Sequence, residues 1–168
     1  MKVTDQGAAV QDVIAAVKLA IKEANISAMD DGRDLRVSSV AMTLHALATQ
    51  SVGGGLDFRI PFIGMQVRVG ATVTKSDTHK IEINLVPPAQ PPGVEVREAP
   101  LDFALTDAIE TIRRAVASAA DGDDPFVLGD ATITLSFAIT EKGEISIGVD
   151  GSLRHEMTHT LTLSLTPV

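Results

Sequence analysis

Residues 154–168 read RHEMTHTLTLSLTPV. His155, Glu156 and His159 spell H-E-x-x-H, a string that on a helix binds zinc through two histidines and uses the glutamate as general base. Four residues of helix rise about 6 Å in one turn, so both rings reach one ion. Along a strand the same spacing spans about 13 Å, whereas two nitrogens on one zinc stand about 3–4 Å apart. The chain runs on as His159, Leu161, Leu163 and Leu165, a period-two series that predicts a strand. No third ligand follows at a recognised spacing. Neither a metal nor another cofactor is therefore expected. A zinc-dependent hydrolase using His155, Glu156 and His159 stands as the alternative.

The Thr158-His159 pair has a counterpart in Thr78-His79. Each histidine is in phase with the apolar residues of its strand. That phase predicts a ring at the rim of a core, hydrogen-bonded through one nitrogen; the other reading is a pair of pseudo-symmetric ligands. Further catalytic patterns are missing. There is no cysteine nucleophile and no G-x-S-x-G elbow. Gly53-Gly54-Gly55 lacks the Lys-Ser/Thr of a phosphate-binding loop and reads as a flexible turn. The acidic turns at Asp30-Asp31 and Asp121-Asp123-Asp124 match no EF-hand spacing. The chain is not expected to be an enzyme.

The elements that position these residues come from 168 residues, 45% of them hydrophobic and only 3% aromatic. Such a chain can build a packed core of Val, Ile, Leu and Ala. Its net charge of -8 and lack of basic clusters speak against nucleic acid. Charged residues interrupt the N-terminal segment, and no run of about 18 apolar residues occurs. A cytoplasmic protein without signal peptide or membrane span is expected.

The sequence repeats itself. AAVQDVIAAVKLAIKEAN (8–25) aligns without a gap to FALTDAIETIRRAVASAA (103–120). Each carries an apolar stripe at helical spacing: Val10, Ile14, Val17, Ile21 in one, and Leu105, Ile109, Ile112, Val116 in the other. LRVSSVAMTLHALAT (35–49) aligns to FVLGDATITLSFAIT (126–140). Both alternate, and both slip phase by one residue, at Ser38-Ser39 and at Gly129-Asp130, as a β-bulge would require. Residues 65–73 align to 145–153 and residues 78–87 to 158–167, giving two further strands in each copy.

The expected fold is α+β: two tandem α-β-β-β units, each an antiparallel three-stranded meander with one amphipathic helix, packed as a pseudo-symmetric pair. The first, diverged unit spans 1–88, a proline-rich linker spans 89–100, and the second unit spans 101–168. Each unit alone is near the lower size limit for a core, so the two should pack together.

One asymmetry stands out. The first copy carries QSVGGGLDFRIPFIG (50–64) where the second has EKG. Phe58, Ile60, Phe62 and Ile63 cluster there. They are either a hairpin tucked onto the first copy or an exposed apolar flap for a partner.

The second copy resembles the trypsin-co-occurring domains of bacteria, in their second described class. Leu105, Asp107, Ala108, Ile109, Glu110 and Arg113 match the helix motif, and Phe126, Gly129, Leu135 and Thr140 match the first strand. Thr158, His159, Leu165 and Pro167 match the last. The first copy keeps Asp12, Ile14, Thr78, His79 and Pro87 but lacks the strand glycine. The resemblance implies a non-catalytic adaptor that recruits or regulates a trypsin-like protease or NTPase partner in a bacterial conflict (defence) system. It carries over no catalytic residue. A self-assembling structural protein, and hence a homo-oligomer, is left open.

Overall fold

The computed structural model describes residues 1–24, 26, 34–51, 53–66, 70–88, 103–121, 125, 127–147 and 157–167. Among the described residues, two α-helices accompany a curled antiparallel sheet, which makes the fold α+β. In chain order the elements are β1 (Val3–Thr4), β2 (Gly7–Ala9), α1 (Val10–Glu23), β3 (Leu35–Gln50), β4 (Leu56–Ile60), β5 (His79–Leu85), α2 (Phe103–Ala120), β6 (Ala131–Ile139), β7 (Ile145–Ile147) and β8 (His159–Pro167). The sheet order is β1-β2-β4-β3-β8-β6-β7, with β5 also paired to β3. Among the described residues, no helix is long and apolar enough to cross a membrane.

The helices follow from their apolar stripes and end charges. α1 buries Val13, Val17, Leu19 and Ile21, with Asp12 in its first turn and Lys22 in its last, each charge complementing the helix dipole. α2 buries Ile109 completely. Its Arg113 meets Glu110 at 2.6 Å and Asp34, just before β3, at 3.2 Å.

β3 is the longest strand, and its phase slip is real. Leu35 and Val37 are buried, then Val40, Met42, Leu44 and Ala46. The ladder with β8 jumps from Val37↔Leu165 to Ser39↔Ser164. The skipped Ser38 donates its hydroxyl hydrogen to the carbonyl of Ser164 at 3.1 Å, so the bulge leaves that acceptor satisfied. In the second copy the corresponding residues 127–130 carry no ladder among the described residues.

The repeat is visible as register. β3 pairs β5 from Val40↔Leu85 to Ala46↔His79, and β6 pairs β8 from Ala131↔Leu165 to Phe137↔His159. These are the same aligned positions, pair for pair. The second strand differs from expectation. β4 pairs β3 through Leu47↔Arg59 and Ala48↔Phe58, as β7 pairs β6 through Ala138↔Ser146 and Ile139↔Ile145. The counterpart of β7 is thus β4, inside the supposed insertion. Residues 65–73 show only an isolated bridge, Gln66↔Thr72, among those described. The extra length of the first copy falls in two places: 49–57 stand where 140–144 do, and 61–78 where 148–158 do.

The halves interlock. β8 lies between β3 of the first half and β6 of its own, and its Leu161, Leu163 and Leu165 are buried. Each such leucine contributes about 2 kcal/mol on burial. Val17 and Ala20 of α1 line a small gap with Leu135, Phe137, Ile145, Ile147 and Leu161, so the first helix covers strands of the second half. The curl brings Ile63 N–H to the carbonyl of Ile139 at 2.8 Å, and the Met1 amine to the carbonyl of Gly143 at 3.0 Å. A Cβ on Gly143 would run into the Met1 backbone, and its φ is +80°, a conformation that glycine adopts without penalty.

Candidate functional site

The histidines come together where β8 begins. Thr158 precedes β8 and His159 is its first residue; His155 and Glu156 lie outside the described residues. His159 is 1% exposed. Its ring stands 5.2 Å from that of Phe137 and 6.2 Å from that of His45. The reason for its position is a gap in the ladder. On β3, the last pair with β8 is Thr43↔Thr160 and the first with β4 is Leu47↔Arg59. Within that gap the backbone N–H of His45 donates to His159 Nδ1 at 3.1 Å. The imidazole thus supplies the acceptor that a strand would otherwise provide.

This bond fixes the chemistry of the ring. A nitrogen that accepts carries no proton, so the neutral ring holds its hydrogen on Nε2. Nε2 is buried and has no partner among the described residues. Burial pushes the imidazole down to about 3, and His45 and Lys75 add to the push. His159 is therefore neutral and shielded from solvent.

His45 is half-buried on β3. Burial lowers its pKa first, then the charges of Lys75 and Lys80. Its Nδ1 is 3.4 Å from Thr78 Oγ1. Among the described residues, this pair is the nearest approach to a nucleophile and base. The Thr78 hydroxyl, however, donates to the carbonyl of Lys75 at 2.7 Å, so toward His45 it acts as acceptor. The arrangement ties the turn before β5 to β3 and leaves the threonine oxygen unactivated. Among the described residues, no group of three His, Cys, Asp or Glu side chains is arranged to hold a metal.

His79, the repeat partner of His159, is exposed at the start of β5 and packs edge-on against Phe58 at 6.2 Å. The two Thr-His pairs occupy the same register but different surroundings. β8 is flanked on both edges, whereas β5 pairs β3 alone among the described residues.

The apolar residues of 50–64 divide between core and surface. Ile60 is fully buried opposite Ala8 of β2, and Phe62 is half-buried against Met65, Val73 and Met157. Phe58 is 37% exposed, Ile63 48%, and Leu56, which sequence reasoning left out, 72%. Leu56 and Phe58 alternate with Asp57 and Arg59, which pair at 2.8 Å. The period-two pattern at 56–60 was the available sign that this segment is a strand.

A cleft of about 440 Å³ lies at the end of α2, lined by Leu35, Val116, Ala120, Val127, Leu128, Pro167 and Asp34. Asp34, its titratable group, is held by Arg113.

A family model described as trypsin-co-occurring domain 2 matches residues 8–87 and again residues 103–167. No curated protein and no solved structure matches.

Proposed function

The chain belongs to the trypsin-co-occurring domain 2 family through both of its halves, and from that premise we propose that it is a non-catalytic binding module acting beside a trypsin-like protein. The two repeats form a pseudo-symmetric pair in this reading, with 89–100 as the linker between them. The partner is a trypsin-like protease or an NTPase of a bacterial defence system, and the chain recruits or regulates it as an adaptor.

One observation carries the reading. One residue of each Thr-His pair is spent on structure: His159 is buried, neutral and bonded to the backbone of β3, and the Thr78 hydroxyl is committed to a carbonyl. Of the five exposed large apolar side chains described, three lie on or beside the β3–β4 hairpin: Leu56, Phe58 and Ile63. Exposed apolar residues grouped on one hairpin suit a protein surface.

The test is direct binding to a trypsin-like protease encoded beside the chain. Leu56→Asp and Phe58→Asp alter exposed residues, so the fold should survive. Each should weaken binding by about tenfold or more, since an anchor residue is worth upward of 1.4 kcal/mol. Undiminished binding by both variants would remove the hairpin from the interface. Metal analysis of purified protein tests the hydrolase alternative: stoichiometric zinc that disappears in His155→Ala would replace the adaptor reading.

A further inference from the structure

Each half of the chain uses one strand edge that the other half leaves open. β8 pairs β6 on one edge and β3 on the other. Its repeat counterpart β5 pairs only β3 among the described residues. The converse holds for β3 and β6. β3 binds β5 and β8 on opposite edges over Val40–Thr43. β6 binds β8 along Ala131–Phe137, and β7 takes the far edge only from Phe137 onward. The far edge of 131–136 has no partner among the described residues.

We propose that a second copy of this chain lays the open edge of its β5 along the open edge of β6. This contact reproduces between molecules the β3–β8 junction that each molecule makes within itself. The register follows from the repeat. Within the chain, Arg36↔Thr166, Ala41↔Thr162 and Thr43↔Thr160 are paired. Their counterparts across the new junction are Val127↔Val86, Thr132↔Glu82 and Thr134↔Lys80.

Two independent observations fit this register. Val127 is 91% exposed and Val86 70%, among the most exposed large apolar residues described, and the register sets them opposite each other. Residues 127–130 are strand-free here, whereas 36–39 in the first half lie within β3 against β8. Supplying the missing strand would extend β6 backward through Val127. The inward residues of β5, Ile81 and Ile83, are also only half-buried, while Leu161 and Leu163 of β8 are buried. Lys80 and Glu82, on the exposed face of β5, pair with each other, and the register sets them opposite the uncharged Thr134 and Thr132, so no like charges meet across the junction. Because the two edges differ, the contact is head-to-tail and yields rings or open chains of molecules.

Sedimentation velocity over a concentration series tests this, with Val127→Asp as the disrupting variant. Val127 is almost fully exposed, so the substitution leaves the monomer fold intact. It should weaken self-association by about tenfold or more through the lost apolar pair. The register is tested by disulfide trapping, since the chain has no cysteine of its own. Strand partners stand about 4.5–5.5 Å apart at Cα, within disulfide reach. Mixed Glu82→Cys and Thr132→Cys chains should oxidise to a covalent dimer, and Glu82→Cys with Ser136→Cys should not. A chain that stays monomeric at every concentration overturns the proposal. So does association that Val127→Asp leaves unchanged, or that fails to form the first disulfide.

Discussion

His159 and His79 are one sequence position seen twice, and they show how far a residue's role depends on neighbours supplied from far along the chain. Both follow a threonine and both open a strand. The phase of the apolar residues was legible; the burial was not, because β8 has strands on both edges whereas β5 pairs β3 alone among the described residues. The buried ring has a measurable consequence. An unfolded imidazole titrates near 6.5, whereas that of His159 is held down at about 3. Folding favours the neutral ring, so its contribution is complete above pH 6.5 and is lost as pH falls from there toward 3. The loss is about 1.4 kcal/mol per pH unit. His159→Leu removes this titration but leaves the His45 N–H without its acceptor, at a cost of about 1–3 kcal/mol. Denaturant titrations should find the variant less stable at pH 7, with the gap closing by about pH 5. A gap that stays constant with pH would contradict the assignment of a neutral, buried ring.

Among the elements, β3 announced itself most clearly. Its alternation and the slip at Ser38-Ser39 gave both the strand and the bulge. β4 was misread because its five residues sit between a glycine-rich turn and Pro61-Phe62-Ile63, which together look like an apolar loop. The alternating stretch 65–73 competed for the same role. Alternation records that a segment can face a core, and says nothing about which strand lies beside it. The double pairing of β8 was hidden for the same reason. That double pairing makes β8 and β5 unequal despite their shared register. Leu163→Ala removes a fully buried side chain between two strands and should cost about 2–5 kcal/mol. Ile83→Ala, its half-buried equivalent on β5, should cost about half as much. Equal losses in thermal or denaturant unfolding would mean that the two strands are equally enclosed.

For the whole molecule, the repeat predicted two similar units, and the registers of β3–β5 and β6–β8 agree. Their interlocking went beyond it. α1 covers strands of the second half, β8 closes onto the first, and the backbone of Ile63 meets that of Ile139. Separately produced fragments 1–88 and 101–168 should each fail to give dispersed amide spectra. Mixed in equal amounts, they should recover the far-ultraviolet signal of the intact chain. Independent folding of either fragment would show that the shared contacts are incidental. The pairing of β3 with β8 also constrains biosynthesis. Leu35 waits for a partner at Pro167, so the sheet cannot be completed until the last strand has left the ribosome. Nascent β3 and β6 must meanwhile remain open to unwanted strands, and closure over so long a sequence separation is slow. A chaperone that shields those two edges during translation would therefore raise the yield of native protein more than one acting after release.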